Sequence, residues 1–265
     1  MRLTCLILAI LLHASVRAAD LSLCSAPIAY GLVDHGYLYD MASDRGIDRD
    51  IATELARRSG CTFVYLARSR ARVWHEFESG SLDMVGASIQ TPERAPLAWF
   101  ANYAAIKNFA LVRENLHVRS AQEFLADQRL LWGIVRAYRH GQHTDAFLAQ
   151  LRERGRLIEE NDIRGLFRLL ERGKVDGIFA QSVVFAKFFA ENPPPMKIRT
   201  ADWFPDEPPV IGGIAISKRR FSASAAAQWR ALIEQMRADG TLHAIFVRYV
   251  GAAQAEHLLH YKQVE

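Results

Sequence analysis

The chain has 265 residues, half of them hydrophobic, and its 33 Lys and Arg against 29 Asp and Glu give a formal net charge of +4. This length suffices for two domains of ordinary size. The charge excess is small and no basic helix carries interleaved aromatic residues, which argues against a nucleic-acid partner. No His, Cys and carboxylate cluster has metal-ligand spacing, so we expect neither a metal nor another cofactor.

Residues 1–18 are typical of a secretory signal peptide. Arg2 supplies a positive start, residues 3–12 are apolar, and Val16 and Ala18 suit the −3 and −1 positions of a cleavage site. The apolar run is too short to cross a membrane. We therefore expect cleavage after Ala18 and a periplasmic protein without stable membrane insertion. An uncleaved N-terminal anchor is the alternative.

Strands and helices alternate in the first part of the mature chain. The pattern predicts a strand at 21–25, a helix at 48–58 closed by Gly60, a strand at 62–66, a helix that ends before Gly80, and a strand after Asp83. Cys24 lies in the first of these strands and Cys61 opens the second. Either a disulfide or two buried thiols would suit this arrangement in an oxidising compartment.

One sequence motif occurs twice, at residues 73–87 and 166–180. Each copy reads as an amphipathic helix, a glycine stop, a Gly-x-(Leu or Val)-Asp turn and a short apolar strand. Two distant copies indicate two similar α/β lobes rather than a solenoid. A cleft between two lobes can hold a small molecule.

The second part of the chain repeats the alternation. The pattern predicts strands at 130–135, 156–159, 177–180 and 210–217. It also predicts helices at 144–154 and 222–239, a helix that begins at Ser182, and two helices capped by Asn161 and by Thr241. Such alternation is typical of mostly parallel sheets flanked by helices. We expect one lobe from residues 19–107 plus 211–265 and the other from 108–210. The two crossings, near Asn108 and Val210, would form a hinge.

The motif Thr91-Pro92-Glu93-Arg94 follows the carboxyl end of a predicted strand, where ligands bind in α/β sheets. It resembles a helix start with Thr91 as cap and Pro92 in the first turn. Free backbone N–H groups and an arginine at one place make an anion site. The alternative is a surface arginine paired with Glu93 or a neighbouring acid.

Several short motifs stand in the order found in a known family. They are residues 46–52, 80–83, 91–95, 100–103, 173–176 and 239–242. With them the chain resembles extracellular solute-binding protein family 3, the polar amino acid receptors of ABC importers. The resemblance covers essentially the whole mature chain. It implies a two-lobed type 2 periplasmic-binding fold with two hinge crossings.

The resemblance also implies roles for single residues. Arg94 takes the position that holds the ligand's α-carboxylate, and a bidentate guanidinium suits that group. An aromatic residue near the first strand usually stacks on the ligand; Tyr30 is the first choice, with Tyr37 and Tyr39 as alternatives. Ser88 and Thr91 are the candidate hydroxyl donors.

Two departures from the family pattern bear on the ligand. The family commonly has an Asp after the second-lobe strand to bind the α-ammonium, and here Gln181 stands there. The family's usual turn after strand 130–135 is replaced by a basic, aromatic turn that includes Arg136 and Tyr138. Arg72, with Arg68 and Arg70, would add positive charge if these side chains face the cleft; a solvated basic face is the alternative. We therefore expect an anionic ligand: an acidic amino acid, a dicarboxylate or another small organic acid.

The sequence thus favours a monomeric receptor that binds a small molecule without catalysis and delivers it to an ABC-transporter permease. Two alternatives remain open. A cyclohexadienyl dehydratase-like enzyme would need a proton-transferring acid in the cleft, and Gln181 cannot serve as one. A ligand-sensing module would need a separate signalling receptor.

Overall fold

The computed structural model describes residues 23–191, 193 and 197–260. The predicted signal peptide therefore lies outside the described residues. The strands of the structure, in chain order, are β1 Ile28–Leu32, β2 Phe63–Ala67, β3 Met84–Ile89, β4 Ala98–Ile106, β5 Asn108–Arg113, β6 Trp132–Val135, β7 Leu157–Glu160, β8 Gly177–Gln181, β9 Ile198–Ala201 and β10 Val210–Ser217. Its helices are α1 Ile47–Ser59, α2 Arg70–Ser79, α3 Ala121–Ala126, α4 Gln142–Glu153, α5 Ile163–Glu171, α6 Ser182–Glu191, α7 Ala223–Ala238, α8 Thr241–Val250 and α9 Ala252–Leu259.

The first lobe is built on a sheet with strand order β2-β1-β3-β10-β4. Strands β1, β2 and β3 are parallel, whereas β10 runs antiparallel to both of its neighbours. The register of β10 shifts at Gly213, where a Cβ atom would lie 2.2 Å from the carbonyl oxygen of Ala101. Glycine is required there because the two backbones approach too closely for any side chain.

The second lobe has the sheet order β7-β6-β8-β5-β9. Its core is aromatic: Trp132 packs against Phe179 at 4.5 Å between ring centroids and against Phe124 at 5.0 Å. Lys107 alone separates β4 of the first sheet from β5 of the second, and the chain returns between β9 and β10. Two crossings of this kind confirm the predicted two-lobed α/β architecture.

Several predicted elements differ from the observed ones at their ends. Of the strand expected at 21–25, residues 21 and 22 lie outside the described residues and residues 23–25 are not strand; β1 begins at Ile28, after Pro27. Strands β4 and β5 are not among the strands predicted from the sequence. Asp162 replaces Asn161 as the cap of α5, because its carboxylate accepts from the Gly165 N–H at 2.7 Å.

The start of the next-to-last helix also differs from its prediction. Left-handed Gly240 stands at the N-cap of α8 in place of Thr241. The Thr241 hydroxyl is engaged elsewhere, because it accepts a hydrogen bond from Arg58 at 2.9 Å. A further helix, α9, follows α8 after Gly251.

The structure joins Cys24 and Cys61 in a disulfide, with their Cα atoms 5.9 Å apart. The bond ties the segment before β1 to the short connection between α1 and β2. No helix among residues 23–191, 193 and 197–260 is both long and apolar enough to span a bilayer.

Candidate functional site

The two lobes are in direct contact across the cleft. Arg164 at the start of α5 forms ion pairs with Asp34, at 2.8 Å, and with Asp40, both from the loop after β1. Tyr37 N–H donates to the Val183 carbonyl at 2.9 Å. Because these pairs join first-lobe loops to second-lobe helices, the structure shows the lobes closed upon each other.

Arg94 reaches from one lobe to the other. Its turn is closed by Thr91, which accepts from the Arg94 N–H through both its carbonyl and its hydroxyl oxygen. One guanidinium nitrogen donates to the Ile89 carbonyl at 3.4 Å, and the other donates across the cleft to the Ala137 carbonyl at 3.2 Å. The Thr91 motif is therefore a single turn rather than the start of a longer helix.

The surroundings of the Arg94 guanidinium are aromatic and cationic. Its Cζ lies 3.9 Å from the centre of the Trp74 ring. Burial, followed by repulsion from Arg70 and Arg139, lowers the pKa of Arg94 to about 9. A neighbouring anion would favour the charged form of this side chain.

Arg70 is a second arginine of the cleft, and it is only 2% exposed. One of its nitrogens donates to the Ala87 carbonyl at 2.9 Å, whereas Nε and Nη2 have no hydrogen-bond partner among the described residues. The guanidinium lies 5.4 Å from the centre of the Tyr138 ring. Burial lowers the pKa of Arg70.

Sequence reasoning named Arg70 only as a member of a basic series and chose Arg72 for the site. The missed signal was Ser69, a good N-cap residue, which places the start of α2 at Arg70 rather than at Val73. Arg72 is exposed and pairs with Glu76 at 2.6 Å, although it still lines the cavity described below.

Two alanines of the cleft have left-handed backbones: Ala87 with φ 47° and Ala137 with φ 61°. Each carbonyl accepts a hydrogen bond from a cleft arginine, Ala87 from Arg70 and Ala137 from Arg94. Such conformations cost an alanine about 1 kcal/mol or more and cluster at ligand sites. The backbone strain therefore coincides with the two arginines.

A cavity of about 490 Å³ lies between the lobes. Its charged lining consists of Arg68, Arg70, Arg72, Arg164 and Arg168 against Asp34 and Asp162. The N-termini of α2 and α5 both border it, and helix N-termini carry partial positive charge. Positive groups therefore dominate this space, which we call the interlobe cavity.

A second cavity, of about 890 Å³, lies beside the hinge strands and is lined by Thr91, Arg139 and Gln142 among others. Glu207 from the β9–β10 connection also lines it and occupies the N-terminus of α4. Its carboxylate accepts from the N–H groups of His143, at 2.6 Å, and Thr144, at 3.2 Å. The chain's own carboxylate thus fills the anion-binding end of this helix. We call this space the hinge cavity.

Tyr30, the first choice for stacking on a ligand, lies in the core of the first lobe with 0% exposure. Its ring stacks on Phe63 at 5.7 Å, on the side of the sheet where Phe63 meets Trp229 of α7. Strand alternation therefore points Tyr30 away from the cleft, which corrects the choice made from the sequence. The alternative Tyr39 is also buried and donates to Asp44 at 3.0 Å.

The basic turn after β6 divides between cleft and surface. Arg136 is exposed and pairs with Glu159 at 3.2 Å, so the structure does not bring it to the cleft, contrary to its sequence-based assignment. Tyr138 does face the cleft, where its hydroxyl lies 3.3 Å from Nε2 of His35. His35 is buried, and burial followed by repulsion from Arg70 lowers its pKa to about 3.

Three further predicted residues have different surroundings. Gln181 is buried between the lobes, in a small cavity shared with His35 and Asn108. Ser88 is fully buried, and its hydroxyl donates to the Gly86 carbonyl at 3.3 Å. Thr91 lines the hinge cavity. No cluster of three His, Cys, Asp or Glu side chains in the described part of the chain could hold a metal.

Residues 35–252 match the family model of bacterial extracellular solute-binding proteins, family 3. No curated protein matches the chain. Among solved structures, a Streptococcus mutans structure concerned with glutathione import via GshT and the cystine ABC importer TcyBC has a TM-score of 0.74 at 15% identity, covering 91% of this chain and 99% of that one.

Two amino acid-binding proteins are similar in the same way. An ancestral arginine-binding protein bound to glutamine has a TM-score of 0.73 at 17% identity, covering 86% of this chain and 99% of its own. The arginine-, lysine-, histidine-binding protein ArtJ from Geobacillus stearothermophilus has a TM-score of 0.71 at 17% identity, covering 85% and 95%. At these identities the similarity concerns the fold.

Proposed function

Because the chain belongs to the bacterial extracellular solute-binding proteins, family 3, we propose that it captures a small anionic solute between its lobes for an ABC importer. The solute class is a dicarboxylate, an acidic amino acid or another small organic acid. The mature protein is a periplasmic monomer, exported through cleavage after Ala18, and it passes its ligand to a permease. It carries out no chemistry on the ligand.

The observation that carries this proposal is the unbalanced positive charge of the cleft. Within residues 23–191, 193 and 197–260, neither Arg70 nor Arg94 forms an ion pair with a carboxylate. Burying an unpaired guanidinium is costly, and a ligand anion would offset this cost. Each charge-assisted hydrogen bond to such an anion is worth about 1.5–3 kcal/mol.

A cationic ligand fits this cleft poorly. The ArtJ protein binds arginine, lysine and histidine, and arginine and lysine carry a cationic side chain besides the α-ammonium group that every amino acid has. In this chain an ammonium near Gln181 would meet an amide instead of a carboxylate. It would also lie in a cleft with a buried arginine, Arg70, and a half-buried one, Arg94, where like charges repel more strongly than in water.

Binding without catalysis agrees with the state of the cleft's titratable groups. His35 has its pKa lowered to about 3, so it stays neutral at physiological pH. The acids Asp34 and Asp40 are engaged with Arg164. A pKa of about 3 is far from the neutral range that suits a proton-transfer catalyst, and the two acids are held in ion pairs.

Thermal unfolding of the purified mature protein tests the proposal. The panel holds succinate, glutarate, aspartate and glutamate against glutamine, lysine, arginine and histidine. We expect only anions to raise Tm, because a ligand at a hundred times its dissociation constant stabilises the folded state by about 2.7 kcal/mol. Stabilisation by lysine or arginine alone would contradict the proposal.

A further inference from the structure

We propose that the interlobe cavity beside Arg70 is a second anion-binding compartment, which seats the distal carboxylate of a dicarboxylate whose first carboxylate binds Arg94. The inference rests on the proposed function and narrows its ligand class. The dicarboxylate lacks an α-ammonium group.

The first observation is the state of Arg70. The side chain is 2% exposed, yet its Nε and Nη2 find no hydrogen-bond partner among the described residues. Leaving a buried donor unsatisfied is costly, and more so when the donor is charged. Because Arg70 lines the cavity, a carboxylate bound there would be the missing partner of this guanidinium, which favours bidentate pairing.

The second observation is the state of the other charges around the cavity. Asp34 pairs with Arg164 at 2.8 Å, and Asp162 caps α5 by accepting from Gly165 at 2.7 Å. Both acids that line the cavity are therefore engaged. The N-terminus of α2 also borders the space, and its N-cap Ser69 makes no side-chain capping bond in the described structure. These groups favour an anion and leave an ammonium without a free carboxylate.

Asp48 is the carboxylate that could best balance the charge of Arg70, but it supplies little compensating charge. Its carboxylate accepts a hydrogen bond from Tyr103 and forms no ion pair with Arg70 within the described residues. Burial raises its pKa to about 7. A carboxyl group that readily stays protonated supplies little compensating charge to a guanidinium.

Arg70 and Arg94 contact neighbouring residues of the same turn after β6. The Arg94 guanidinium donates to the carbonyl of Ala137, and the Arg70 guanidinium lies against the ring of Tyr138, the next residue. Repulsion from Arg70 contributes to the lowered pKa of Arg94. One molecule with two carboxylates would neutralise both guanidinium groups.

Calorimetric titration with matched ligand pairs tests the inference. Succinate and glutarate are compared with their monoamides, succinamate and glutaramate, which keep the shape but carry one charge fewer. We expect the better dicarboxylate to bind the unaltered protein about tenfold or more tightly than its monoamide. We also expect aspartate and glutamate to bind more weakly than the matching dicarboxylates.

The variant Arg70→Met separates this inference from the proposed function. It should bind dicarboxylate and monoamide within about threefold of each other, whereas the control Arg230→Met, at an exposed position of α7, should keep the discrimination. Equal binding of both ligands to the unaltered protein overturns the second compartment and leaves the proposed function standing. Failure of every organic acid and acidic amino acid to bind overturns both.

Unfolding without ligand distinguishes a ligand-binding role from a structural one. If Arg70 serves the ligand, Arg70→Met removes an unsatisfied buried charge and Tm without ligand stays the same or rises. If Arg70 instead holds the fold together through Ala87 and Tyr138, Tm falls clearly and the inference is overturned.

Discussion

The interlobe cavity and the hinge cavity both present positive groups that could bind an anion. They differ in whether a carboxylate of the chain itself already pairs with those groups. Each is bordered by a helix N-terminus; five arginines line the interlobe cavity, and Arg139 is the one arginine among the described residues that line the hinge cavity. In the hinge cavity Glu207 already accepts from the first turn of α4. In the interlobe cavity Arg70 keeps two unsatisfied nitrogens. We infer that positive surroundings alone do not mark a ligand site, and that an internal counter-charge must also be missing.

The largest expected effect is a loss of stability on substitution of Glu207 in the hinge cavity. Glu207→Ala leaves the N–H groups of His143 and Thr144 and the Thr144 hydroxyl without their partner, and the last of these is buried. We expect a loss of about 2–3 kcal/mol in the free energy of unfolding, measured with urea. The control Glu153→Ala, at the exposed end of α4, should change it by less than about 0.5 kcal/mol.

Added anions would sharpen this result. If Glu207 acts as an internal anion, acetate should restore part of the stability of Glu207→Ala and have little effect on the unaltered protein. An equal response of both proteins to acetate would contradict the comparison.

A smaller effect concerns Asp48 behind Arg70. Burial raises its pKa to about 7 from an ordinary value of 3.8, so the folded state holds the proton more tightly than the unfolded state. Its contribution is therefore most favourable at pH below about 4 and is lost as pH rises through 7. Relative to Asp48→Asn, the unaltered protein should lose about 2 kcal/mol of unfolding free energy between pH 5 and pH 8.

Urea unfolding of both proteins at the two pH values checks this expectation. A parallel response would mean that Asp48 does not change its protonation state between pH 5 and pH 8. If its carboxylate is ionised throughout, it can neutralise Arg70, and the contrast between the two cavities weakens.

The smallest expected effect is at Arg136, the basic residue that the structure leaves outside both cavities. It is exposed and its partner Glu159 is also bound by Arg152. Surface ion pairs contribute little, so Arg136→Ala should change unfolding free energy by less than about 0.5 kcal/mol and ligand affinity by less than about threefold. A large loss of ligand affinity would indicate that Arg136 does contribute to the binding site.

The sequence was sufficient to predict the two lobes and the turn at Thr91, because these depend on local signals. Periodicity located most elements within a few residues, and the Thr91 motif forms the turn that presents Arg94. The side chains facing the cleft were harder to predict. Placing the first strand too early hid the fact that Tyr30 alternates into the core, since strand position decides which face a residue takes.

Other features of the candidate site depend on backbone geometry that cannot be predicted from residue type. Ala137 has φ 61°, which non-glycine residues rarely adopt, and this turn sends Tyr138 into the cleft and Arg136 to the surface. The unpaired state of Arg70 likewise arises from tertiary packing. Neither could be inferred from an alanine or an arginine in the sequence.

The most direct test of the central claim is calorimetric titration of the strongest anionic ligand into the unaltered protein and into Arg94→Ala. The claim is that an anion binds between the lobes with a carboxylate on Arg94. We predict that Arg94→Ala raises the dissociation constant at least about tenfold, because a charge-assisted pair of about 1.5–3 kcal/mol is lost. The exposed control Arg230→Ala should leave it unchanged. An unchanged dissociation constant in Arg94→Ala would contradict the claim.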